Sequence, residues 1–106
     1  MTEAEKYFHQ LAENAHDATK GKMFGALSIK ASNGKTAVFF WEEKMAFKLD
    51  EKSRREALKL GGASITTHLY APDKQMKAWV SIPAEHREKW EEYTALALKY
   101  IASEIL

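Results

Sequence analysis

The sequence predicts an α+β fold, a single domain with a five-stranded antiparallel sheet, an N-terminal helix, a short middle helix and a long C-terminal helix. Three observations carry this. Apolar residues recur at three- and four-residue spacing near both ends, they alternate with polar residues through the middle, and turn-forming pairs separate the alternating segments.

The first helix is predicted over residues 2–20, where Ala4, Phe8, Leu11, Ala15 and Ala18 form one stripe and charged residues fill the opposite side. Thr2 followed by Glu5 is a capping pattern, and Gly21 reads as the stop. Strand-like segments follow at Ala26–Ala31 and Thr36–Trp41, joined through Ser32-Asn33-Gly34-Lys35, since Asn-Gly between apolar alternations is a strong hairpin signal. Lys44–Leu49 comes after the polar pair Glu42-Glu43 and completes a meander. Asp50 reads as the N-cap of a helix over Glu51–Leu60 that Gly61-Gly62 ends. Two more strands are predicted at Ser64–Tyr70 and Gln75–Val80, with Ala71-Pro72-Asp73-Lys74 as the turn between them. Pro83 suits the first turn of the closing helix, which runs to about Ser103 with Trp90, Thr94, Ala97, Leu98, Ile101 and Ile105 on its stripe.

Composition bounds what such a domain can do. The chain has 106 residues, 45% apolar and 29% charged, which suits one core and no second domain. It contains no cysteine, which removes disulfides, thiolate metal sites and cysteine nucleophiles and fits a cytoplasmic location. The start, Met1-Thr2-Glu3-Ala4-Glu5-Lys6, lacks the pattern of a signal peptide, and no apolar run approaches the ~20 residues of a membrane span. Net charge is +1, but its distribution is uneven: residues 20–77 carry a net +6 between acidic ends.

Alternation places Leu27, Ile29, Val38, Phe40, Met45, Phe47, Leu49, Ile65, Leu69, Met76, Ala78 and Val80 on a core face of the sheet. The opposite face receives Lys30, Phe39, Trp41, Lys48, Thr66, His68, Tyr70, Lys77 and Trp79. Because Thr36–Trp41 is apolar on both parities, a one-residue slip would exchange the two faces.

Phe39, Trp41, Tyr70 and Trp79 are therefore the candidate interaction face, to be covered by helices, a second subunit or another protein. A second reading makes the rings stacking platforms for single-stranded nucleic acid, with Lys30, Lys48, Arg54, Arg55 and Lys77 on its phosphates. A third is an apolar small-molecule site. Glu5, His9, Glu13 and His16 share a helical stripe that could hold a metal, but one helix lacks the convergent ligands that a stable site needs. Ser64 and His68 lie on one face of a strand but about 13 Å apart, too far for a nucleophile and its base. No catalytic, metal or cofactor-binding residue is expected, and the chain is read as a non-enzyme.

Several local strings are recognisable as a set: Met23-Phe24-Gly25 after the first helix, Asn33-Gly34-Lys35, Phe47-Lys48-Leu49-Asp50, Met76-Lys77-Ala78-Trp79-Val80, and Ile82-Pro83 before the last helix. With this order of elements the chain, from about Lys20 onward, resembles the TfoX N-terminal domain family. That resemblance implies a curved antiparallel sheet with helices at its ends, similar in fold to YjbR-like proteins, and a homodimeric regulatory or interaction role linked to transcription or protein partners. Independently of it, Gly25 allows close backbone approach, and Met23 and Phe24 can plug the junction of helix and sheet.

Overall fold

The computed structural model describes residues 2–15, 18–23, 25–68 and 71–103. His16, Phe24, Leu69, Tyr70 and Ile105, each given a place above, lie outside these residues. The elements run α1 (Glu3–Asn14), β1 (Ala18–Met23), β2 (Ala26–Ala31), β3 (Thr36–Trp41), β4 (Lys44–Lys48), α2 (Glu51–Ala57), β5 (Ser64–His68), β6 (Ala71–Pro83), a 3₁₀ segment (Ala84–Lys89) and α3 (Trp90–Ser103). The class is α+β with a helix at each end, and the sheet has six strands, not five, in the order β1-β2-β3-β4-β6-β5 with every neighbouring pair antiparallel.

The additional strand comes from the tail assigned above to the first helix. Thr2 does cap α1, its hydroxyl oxygen accepting from the Glu5 amide at 3.2 Å. The helix nevertheless stops at Asn14, and Ala15 is already extended (φ −76°, ψ 132°). Ala18–Met23 contains Thr19 and Gly21, both poor helix formers, and pairs with β2 from Ala18↔Ala31 to Met23↔Ala26. Pairing with the open edge of β2 outweighs a short extension of the helix. Gly25 holds a positive φ of 81° in the reversal between the two strands.

Three other boundaries move. Asp50 caps α2 through a 2.8 Å bond from the Ser53 amide, but α2 ends at Ala57. Residues 71–74 belong to β6 and are not a turn, with Ala71 opposite His68. Pro83 closes β6 in an extended conformation, so α3 starts only at Trp90, after a 3₁₀ segment broken at His86.

Most of the core lies on one side of the sheet. There Phe8 and Leu11 of α1 and Trp90, Tyr93, Ala97 and Ile101 of α3 pack on Val38, Phe40, Met45, Phe47, Val80 and Ile82. Trp90 is fully enclosed, its indole N–H donates to the Ile82 carbonyl at 3.1 Å, and Tyr7 and Phe40 meet its ring edge-on. Ala37 and Val38 are both in this core, because a register shift opposite Ile29 and Lys30 makes Ala37 the additional residue of a bulge. A larger irregularity separates Ile65↔Val80 from Thr66↔Met76, leaving residues 77–79 of β6 without partners on β5. Simple alternation fails across it, so Met76 and Ala78 pack with Phe39 and Trp79 instead of joining the main core. Among the described residues no helix is long and apolar enough to cross a membrane.

Candidate functional site on the helix-free face of the sheet

Pairing across the sheet sets one row of side chains on the face away from the main core: Gly21, Ser28, Phe39, Ala46, Ser81 and Ser64, one from each strand. Five of the six are small, and beyond the Phe39 ring Ala46, Ser81 and Ser64 leave a shallow trough. Phe39 is only 1% exposed and lies 5.1 Å from the Trp79 ring, with Ala26 and Ala46 completing a second small cluster. Ser28 is buried in this row, and its hydroxyl has no hydrogen-bond partner among the described residues.

The trough opens into a cleft of about 310 Å³ that reaches from Trp41 and Lys44 across Ala46 and Ser81 to Ser64 and Thr66. The Ser81 and Thr66 hydroxyls are bonded to each other at 2.8 Å, and among the described residues neither is bonded to a histidine or a carboxylate that could activate it. Trp41 forms the wall. It is 40% exposed, and among the described residues only it and Leu58, in the turn after α2, are large apolar side chains left open. Its indole N–H donates to Glu42 at 2.8 Å, and Lys44 is its cross-strand partner.

Trp41 and Lys44 flank a two-residue reversal in which Glu42 and Glu43 both have positive φ, 50° and 64°. Such hairpin turns favour Asn and Gly, because a Cβ in the left-handed region is strained. Glu43 is held from outside the hairpin by the Thr2 hydroxyl, which donates to its carboxylate at 2.9 Å.

The predicted aromatic face is thus only partly assembled as an open surface. Phe39, Trp41 and Trp79 do share this side of the sheet, but Phe39 and Trp79 are covered within the chain and Trp41 alone is open, while Tyr70 lies outside the described residues. The predicted phosphate contacts are dispersed. Lys48 is the cross-strand neighbour of Trp79, and the Lys30 side chain lies over Gly21, where a Cβ would come within 2.9 Å of its Cε. Arg54 donates to the Leu49 carbonyl at 2.7 Å and Arg55 pairs with Glu51 on α2, while Lys77 is exposed.

The acidic and histidine stripe of α1 is engaged otherwise. Glu5 lies 3.6 Å from His9, and the Lys20 ammonium reaches both His9 (3.4 Å) and Glu13 (3.7 Å), while His16 lies outside the described residues. Among the described residues no group of three metal-ligating side chains converges.

Sequence reasoning missed the trough because it searched for rings and cations. Its signal was present: Ser28, Ala46, Ser64 and Ser81 are small residues on the parity of Phe39, a pattern that leaves room above a sheet. No protein-family model, curated protein or solved structure matches this chain.

Proposed function

We propose that this chain is a non-catalytic interaction module that works through protein–protein contacts as a homodimer, with the helix-free sheet face as its contact surface and Trp41 as the anchor. The observation that carries this reading is the half-open Trp41 beside a cleft floored by small side chains, on the sheet face that none of the described helices covers. Tryptophan is the residue type most enriched at the energetic centres of interfaces, because it buries a large area at small entropic cost. The resemblance of Phe47-Lys48-Leu49-Asp50 and Met76-Lys77-Ala78-Trp79-Val80 to strings of the TfoX N-terminal domain family supports a regulatory role. The absence of cysteine fits action in a reducing compartment such as the cytoplasm.

Light scattering of the full chain at micromolar concentration tests the reading. The expected result is a dimer that Trp41→Ala weakens about thirtyfold, the effect of losing one interface anchor. A wild-type monomer throughout, or a variant that dimerises as wild type does, would overturn it.

A second reading has one observation of its own: Lys44 stands cross-strand to the open Trp41. On that reading the face takes single-stranded nucleic acid, and binding to labelled DNA would fall steeply between low and moderate salt. No binding at low salt would end it.

A further inference from the structure

On the opposite side of the sheet, α1 lies over β1 while α3 lies over β2, β3 and β4, and the two helices leave a groove of about 440 Å³ between them. Its walls come from one stripe of each helix. Tyr7, Gln10, Leu11 and Asn14 project from α1, and Glu91, Thr94, Ala95 and Leu98 from α3, at the three-, four- and seven-residue spacings that share a helix face.

Two properties distinguish this groove from an ordinary gap between helices. Its volume is within the range of small-molecule sites, which combine an apolar lining with a few convergent polar groups. Here Leu11, Leu98, Ala95 and the Tyr7 ring supply the apolar lining. The polar groups are unengaged: Gln10, Asn14, Glu91 and Thr94 make no side-chain hydrogen bond or ion pair with any described residue. Gln10, Asn14 and Glu91 are exposed to solvent. Thr94 is different, because it is only 4% exposed and its hydroxyl is buried without a partner, an unusual condition for a buried polar group. The charge of the described lining is one-sided, since among the described residues Glu91 is its single carboxylate and no lysine, arginine or histidine lines the groove.

We propose that the α1–α3 groove binds a small organic cation, a primary amine or amidine on an apolar body. The apolar body lies between Leu11 and Leu98, and the cationic head meets the Glu91 carboxylate, with the side-chain carbonyls of Gln10 and Asn14 as further acceptors for its N–H groups. An anion of the same shape finds no cation among the described lining residues and is repelled by Glu91. The site is on the far side of the sheet from Trp41, so it stands or falls independently of the dimer.

The test is amide NMR of the full chain titrated with phenethylammonium and with its carboxylate counterpart, 3-phenylpropanoate. Phenethylammonium is expected to shift amides of residues 7–15 and 91–98, with 3-phenylpropanoate binding more weakly. Glu91→Gln should weaken the amine about fivefold, the upper range for a solvent-screened pair. Ala95→Trp, at an exposed helical position, should fill the groove and abolish the shifts while the rest of the spectrum is kept. No shifts in these segments at millimolar amine, equal binding of the carboxylate, or a Glu91→Gln variant that binds as wild type would each overturn the proposal.

Discussion

The carboxylate of Asp50 accepts the Ser53 amide at the start of α2, and that bond holds its carboxyl below the usual range. A slight desolvation opposes the shift, while the Ser53 hydroxyl, Arg54 and Lys52 add to it. The folded value is therefore lower than the unfolded one, and in acid the unfolded chain binds the more protons. Its contribution to stability is complete above about pH 5 and is lost as the pH falls through about 4 and below. Asp50→Asn keeps the acceptor and removes the titration. It is expected to match wild type within about 0.5 kcal/mol at pH 7 and to lose less stability toward pH 3, whereas Asp50→Ala costs about 1 kcal/mol at neutral pH. Urea midpoints across this range measure both, and equal acid slopes for wild type and Asp50→Asn would assign the sensitivity to other carboxylates. Both helix N-caps, Thr2 and Asp50, were legible in the sequence because a cap is decided within four residues.

At the scale of elements, local chemistry gave unequal guidance. Asn33-Gly34 announced its hairpin correctly. Gly34 has φ 83°, and the Asn33 side chain both accepts from the Lys35 amide at 3.0 Å and donates to the Ile101 carbonyl of α3 at 3.3 Å. Glu42-Glu43 makes a tighter, two-residue reversal without a turn-forming residue, enforced by the pairing of Trp41 with Lys44 on one side and the Thr2 bond on the other. Glu43→Gly should release left-handed strain at the loss of one exposed hydrogen bond, for a net gain of about 1 kcal/mol and a melting temperature about 4 °C or more higher. A lower melting temperature would mean that the tie from Thr2 outweighs the strain. The end of α1 was not legible, because Ala18–Met23 becomes a strand only when the edge of β2 is there to receive it.

For the whole molecule, the decisive feature is a sheet with apolar clusters on both faces. The main core joins α1 and α3 to the sheet, the second joins Phe39, Trp79, Ala26 and Ala46, and both are anchored on β3 and β4. Alternating residues of the same two strands serve both clusters, so neither can come apart alone. Phe39→Ala is expected to cost about 3–5 kcal/mol, the range for an enclosed ring, and unfolding should remain a single transition by tryptophan fluorescence and by circular dichroism. Separated transitions for the two probes would show that the clusters are independent. The dimer proposed through Trp41 belongs to this scale as well, since the described helices all pack on the other side of the sheet.

What the sequence by itself determined is what a few neighbouring residues can decide: the α+β class, the helical ends, the N-caps, the Asn-Gly hairpin, and the inward parity of Ile29, Val38, Phe40, Met45 and Phe47. The tertiary structure alone decided the sixth strand, the side to which Met76 and Ala78 turn, the covering of Phe39 and Trp79, and the groove between α1 and α3. Each of those depends on partners distant in sequence. A bulge reverses side-chain parity, an open edge recruits a strand, and two helices leave space only once both have docked, so no local pattern could carry them.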